Sequence, residues 1–215
     1  MTNPVHARRP GNRPPAVLKI VIAGGFGVGK TTLVGAVSEI EPLTTEEHLT
    51  VASNGIDDLA GVEAKTTTTV SMDFGRITFD QPQPLLLYLF GTPGQDRFLF
   101  TWHDLCHGAL GAVVLADTRR LETSFTAIGF FEQRQLPFVV AVNQFDGAHR
   151  YPTCEIRDAL HLPARIPVLR CDARDPHSAA TVLITVVDLA LSPTATRPLP
   201  APRIPVQPPS PAPGA

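Results

Sequence analysis

The chain has 215 residues, with 18 Lys and Arg against 20 Asp and Glu and a net charge of −2. With that balance, and no basic stripe interleaved with aromatics, a nucleic-acid binder is disfavoured. Its three cysteines, Cys106, Cys154 and Cys171, are odd in number and sit in apolar segments, which suits a reducing compartment and offers no metal-ligand spacing.

Residues 1–15 show no apolar period, and residues 192–215 are dominated by proline and alanine. Neither can bury enough surface to offset chain entropy, so both are expected to be disordered. The Arg8, Arg9 and Arg13 group then reads as part of a solvated arm. Residues 16–191 are the right size for one domain with a full core. No apolar run reaches the ~18 residues of a membrane span, and no signal-peptide core or lipid-anchor motif is visible. The expected location is cytoplasmic, with any membrane association made through partners and no direct anchor.

Ala16–Ala23 is an apolar, β-branched run, read as a buried strand. Behind it stands Gly24-Gly25-Phe26-Gly27-Val28-Gly29-Lys30-Thr31, a match to G-x-x-x-x-G-K-[ST]. Thr32–Ile40 then reads as a helix. Strand, glycine loop and helix together make a phosphate cradle. The glycines let several N–H groups face one anion, and the helix N-terminus adds partial positive charge. Gly24 to Thr32 are therefore candidate nucleotide-binding residues. Lys30 would reach the β- and γ-phosphates, and the Thr31 hydroxyl would take a place on Mg²⁺.

Glu41–Glu63 is polar and carries Glu46, Glu47, Asp57, Asp58 and Glu63. It reads as a long loop, either functional or a flexible insertion. Lys65-Thr66-Thr67-Thr68-Thr69-Val70 follows. A threonine just ahead of a strand can offer its hydroxyl to Mg²⁺ and its N–H to a γ-phosphate. Thr69 has the best offset, with Thr68 as second choice, although the run could simply open the strand. Ser71–Phe79 and Pro84–Phe90 read as strands joined by Asp80-Gln-Pro-Gln, an antiparallel hairpin. In Phe90-Gly91-Thr92-Pro93-Gly94-Gln95, Gly94 could donate its N–H to a γ-phosphate and Gln95 could orient the attacking water. The string alone also fits an ordinary turn.

Gln95–Gly108 reads as a helix, Gly111–Asp117 as a strand, Leu121–Gln135 as a helix and Pro137–Asn143 as a strand. Pro152–His161, Pro167–Cys171 and His177–Leu191 follow as helix, strand and helix. Repeated βα units imply a three-layer α/β fold with a mainly parallel six-stranded sheet and one antiparallel strand. Ligands then sit beyond the carboxyl ends of the strands. Two segments at such ends could read a base. Asp146, in Asn143-Gln144-Phe145-Asp146, can accept two N–H donors from a guanine edge, which adenine does not offer. In Asp172-Ala173-Arg174, the Ala173 N–H could bind the guanine carbonyl.

Taken in order, these motifs resemble those of Ras-like small GTPases over nearly all of residues 16–191. More narrowly, Gly24–Thr32, Lys65–Val70, Phe90–Gln95 and Val142–Asp146 are similar to the small GTPases of actinobacterial conservons, relatives of the bacterial gliding-motility GTPase. The resemblance implies a switch that binds GTP and GDP with Mg²⁺ and hydrolyses GTP slowly. Lys30, Thr69 and Gln95 would be its catalytic residues, and Thr31 and Thr69 its metal ligands. It also implies a Roadblock/LC7-type partner and a sensor-kinase-like membrane complex.

Several positions depart from that pattern. Gly91 stands where such proteins place an aspartate that holds Mg²⁺ through water, so a weaker Mg²⁺ dependence is expected. Phe26 replaces a frequent glycine and would crowd an arginine inserted by a partner. Gln144 and Arg174 each replace a lysine. Arg97 is a candidate arginine acting in cis. Two other readings stay open: a P-loop ATPase or small-molecule kinase, and a nucleotide-holding scaffold with little or no turnover.

Overall fold

A computed structural model describes residues 15–50, 67–80, 84–95 and 98–192. The expectations for the two termini, for Arg97 and for the Asp57, Asp58 and Glu63 carboxylates lie outside the described residues.

The elements run β1 (Ala16–Ala23), α1 (Lys30–Val37), β2 (Leu43–Thr50), β3 (Thr67–Phe79), β4 (Leu85–Gly91), α2 (Leu99–Cys106), β5 (Gly111–Ala116), α3 (Phe125–Gln133), β6 (Phe138–Asn143), α4 (Thr153–Ala159), β7 (Val168–Cys171) and α5 (Pro176–Leu191). They form one sheet of order β2-β3-β4-β1-β5-β6-β7. The six strands expected from the sequence are β1 and β3 to β7, and β3 is the one that runs against its neighbours. The seventh, β2, comes from the segment expected to be a loop. It pairs antiparallel with β3 from Leu43↔Phe74 to Thr50↔Thr67. Its Thr- and Glu-rich string lacks apolar alternation. As an edge strand with one neighbour it needs none, because polar residues are what edges tolerate.

The core lies in two sheets of side chains, one on each face. Ile20, Ile22, Leu33, Leu89, Val113 and Leu183 pack between the sheet and helices α1 and α5. Val21, Trp102, Ile128, Phe131, Val140 and Ile156 pack on the other face, under α2, α3 and α4. All six residues of β5 and all six of β6 are buried, as expected of parallel strands covered on both sides. Cys171 is buried, Cys106 half-buried and Cys154 exposed, and all three thiols are free.

Helix ends follow local chemistry. α1 begins at Lys30, earlier than the sequence suggested, because Gly29 caps it at φ 103°, a left-handed conformation that suits glycine. α5 is capped by the Asp175 carboxylate, which accepts from the N–H groups of His177 and Ser178, with Pro176 at its first position. Leu121–Ser124, expected to open a helix, is a 3₁₀ turn ahead of α3. Among the described residues no helix is long and apolar enough to cross a membrane.

Candidate functional site

Five connections gather at the carboxyl ends of β1, β4, β5, β6 and β7, where an open α/β sheet binds its ligand. The connection after β1 is the glycine loop. Gly24, Gly27 and Gly29 have φ of 139°, 72° and 103°. Lys30 is 8 % exposed, and its Nζ donates to the carbonyls of Gly24 and Gly25 at 3.0 and 2.9 Å. Burial pushes its pKa down to about 8, opposed by the nearby Asp73 carboxylate. The ammonium is thus held in the curl of the loop, where a phosphate would recover the charge that burial disfavours. The Phe26 side chain is 69 % exposed, at the outside of the loop.

After β4, Gly94 lies against that loop. A Cβ on Gly94 would stand 2.7 Å from Lys30 Nζ and 2.8 Å from Phe26 Cα, so only glycine allows the approach. The sequence placed Gly94 near the γ-phosphate, and the structure brings it to the lysine that would bind that phosphate. Gln95 follows it, half-buried, and its carbonyl accepts from the Phe98 N–H at 3.0 Å.

Asn143, at the end of β6, is 7 % exposed. Its Nδ2 donates to the Val28 carbonyl at 2.9 Å, and its Oδ1 accepts from the Ala173 N–H at 3.0 Å. One amide therefore ties the phosphate loop to the loop after β7. The Ala173 N–H, expected at the guanine carbonyl, donates to Asn143 in the nucleotide-free chain. Gln144 continues from Asn143, its N–H donating to the Cys171 carbonyl at 2.7 Å. Asp146 is at the rim, with its side chain 87 % exposed. Arg174 spans its carboxylate through Nη1 at 2.9 Å and Nη2 at 3.2 Å, and also holds Asp172. That guanidinium keeps both carboxyls below the usual carboxylate range, Asp172 at about 2.

Thr69 does not sit where it was expected. It lies inside β3, paired with His48 of β2, rather than in a loop ahead of the strand. β4 ends at Gly91, which pairs with Asp73, so residues 67–72 run past the end of β4. Four residues of strand place the Thr69 Cα about 13 Å from that of Asp73. Thr31 and Thr69 are therefore not brought together. Instead Thr31 Oγ1 donates to Asp73 Oδ2 at 2.7 Å.

Asp73, Asp117 and Arg120 were missed as site residues. Asp117 follows β5 directly, with its side chain 1 % exposed, and is chelated by Arg119. The Arg119 guanidinium lies 3.9 Å from the centroid of the Phe145 ring. Arg120 Nη2 donates to the Phe26 carbonyl at 3.1 Å, pinning the phosphate loop from the β5 side. A hydrophobic strand ending in aspartate was visible in the sequence, but its arginine partners were not.

Fold and site together define a phosphate-loop nucleotide-binding protein with the fold of a G domain. The chain belongs to the family described as "Conserved hypothetical ATP binding protein", whose profile matches residues 22–193. It is 29 % identical over 131 residues to the uncharacterized protein MJ1339 of Methanocaldococcus jannaschii, covering 60 % of this chain and 71 % of that one. Among solved structures it is similar to the G domain of the T. maritima FeoB iron transporter, with a TM-score of 0.55 and 19 % identity over 81 % of this chain and 99 % of that one. It is similar also to the cytosolic domain of that transporter in a GDP form, with a TM-score of 0.57 and 19 % identity over 84 % of this chain and 66 % of the other.

Proposed function

We propose that this protein is a guanine-nucleotide switch that binds GTP and GDP with Mg²⁺ and hydrolyses GTP slowly. The observation that carries the reading is the Asn143 amide. It ties the phosphate loop to the loop after β7 and leaves the Asp146 carboxylate three residues on, exposed at the rim. Lys30 and the loop N–H groups neutralise the phosphates, the Thr31 hydroxyl binds the metal, and Gln95 positions the attacking water. Positioning and electrostatics are most of what phosphoryl transfer asks of a protein. Thr69 joins the metal only when the start of β3 leaves its ladder with β2, so the two nucleotide states differ at that hairpin. By resemblance, the switch works in a cytoplasmic signalling complex with a Roadblock/LC7-type protein and a sensor-kinase-like membrane protein.

A specific observation favours a second reading, an adenine-nucleotide P-loop protein. Arg174 already lies across Asp146, so a guanine edge would have to compete with the guanidinium for the two oxygens. The family description also names ATP. Equilibrium binding of GDP and ADP to the purified chain separates the two. Preference for GDP supports the switch, and preference for ADP contradicts it.

A further inference from the structure

Gly91 opens the question of what replaces the missing carboxylate at the end of β4. Antiparallel pairing puts Asp73 of β3 directly opposite Gly91. Residues directly opposite in such a pair share a face of the sheet. The space beside Gly91 is filled by its neighbour: a Cβ on Gly91 would stand 2.9 Å from Asp73 Oδ2 and 3.0 Å from Asp73 Cβ. Asp73 is 5 % exposed. Its Oδ2 accepts from the Thr31 hydroxyl at 2.7 Å, and its charge acts on Lys30. Its Oδ1 is buried and has no hydrogen-bond partner among the described residues.

A buried carboxylate oxygen without a partner is costly unless something else satisfies it. The one-hydroxyl, one-carboxylate arrangement, with an oxygen to spare, fits a hydrated Mg²⁺. That ion keeps several waters and takes few protein ligands when phosphates are present. We infer that Asp73 supplies the outer-shell carboxylate of the Mg²⁺ site, moved one strand sideways from the end of β4 to β3. Oδ2 orients the Thr31 hydroxyl toward the metal, and Oδ1 accepts from a metal-bound water. This rests on the reading of the glycine loop as a Mg²⁺–nucleotide site. It reverses the weak Mg²⁺ dependence expected from Gly91 alone. Gly91 is then required for its lack of a side chain, since it makes room for the carboxylate of its neighbour.

The test is release of a fluorescent GDP analogue from the full chain, measured against free Mg²⁺. Wild type should release the nucleotide slowly in Mg²⁺ and fast in EDTA. Loss of an outer-shell group typically weakens metal affinity by about 10- to 100-fold, so Asp73→Asn, which keeps the volume, should shift the Mg²⁺ midpoint upward by that factor. Its fold-difference from wild type in release rate should be larger in Mg²⁺ than in EDTA, because the metal-dependent part is what it loses. The exchange Asp73→Gly with Gly91→Asp should recover the wild-type midpoint, and Asp73→Gly alone should not. Circular dichroism melts identify any variant that has not folded, and the exchange pair then decides alone. An unchanged midpoint in folded Asp73→Asn overturns the assignment of Asp73 while leaving nucleotide binding intact. Failure of wild type to bind either this analogue or its ADP counterpart overturns the nucleotide reading on which it rests.

Discussion

Arg174 lies across the Asp146 carboxylate, with its two terminal nitrogens 2.9 and 3.2 Å from the two oxygens. The pair is exposed, 56 % and 87 % at the two side chains, so solvent and salt screen it and it holds weakly. A guanine edge can therefore displace the guanidinium. Arg174→Ala should tighten GDP by no more than about fivefold, the equivalent of that ion pair. Asp146→Asn should weaken GDP selectively, because it replaces one of the two acceptors the base must pair with by a donor. ADP should respond to neither change. Competition binding with both nucleotides checks this, and equal loss for GDP and ADP would remove Asp146 from the base site.

Lys30 sets a pH dependence with a defined sign. Its pKa in the folded, nucleotide-free protein is about 8, below the ordinary 10.5. Between those two values the unfolded chain binds more protons, so the contribution of Lys30 to stability rises with pH across that window. Nucleotide binding acts the other way. Phosphates restore the ammonium, so above about pH 8 binding takes up a proton and GDP affinity falls with rising pH. Calorimetry at pH 9 in two buffers of different ionisation heat should report proton uptake in wild type and none in Lys30→Met. Equal heats in the two buffers for wild type would contradict this.

Asn143 is a brace before it is a base contact. Asn143→Ala would leave the Val28 carbonyl and the Ala173 N–H without their partner in a buried setting. Each such group costs about 1–3 kcal/mol. The nucleotide-free protein should therefore lose stability, by roughly 2 kcal/mol or more in a denaturant titration. A variant as stable as wild type would show that the two loops are held by other means.

Phe26 stands exposed at the mouth of the phosphate loop, its carbonyl fixed by Arg120. A ring there obstructs an arginine brought by a partner, a group worth ~10³–10⁵ in rate elsewhere. Phe26→Gly should raise single-turnover hydrolysis in the presence of an activator or of guanidinium ion. An unchanged rate would assign the ring to partner contact alone.

Much of this was readable in the string. β1, the glycine loop and α1 follow from residue order, and five of the strands from apolar runs. The position of Asp73 was within reach as well. Counting six residues back from Phe79 and six forward from Leu85, the ends of the hairpin, lands on Asp73 and Gly91. The reading missed it because Gly91 was judged along its own strand, and the carboxylate arrives across the sheet. β2 was not readable, since an edge strand of Thr and Glu carries no apolar alternation. Nor was the Arg174–Asp146 pair, because contacts between two loops far apart in sequence leave no local pattern. Thr69 was misplaced for a related reason: its offset was counted from a strand start at Ser71, and pairing with β2 carries β3 back to Thr67.

The central claim is tested most directly by single-turnover hydrolysis on the purified chain with Mg²⁺, using GTP and ATP in parallel. Slow conversion of GTP to GDP and phosphate, lost in Gln95→Leu and absent with ATP, is the predicted result. Turnover of ATP in preference to GTP would contradict the guanine-nucleotide switch.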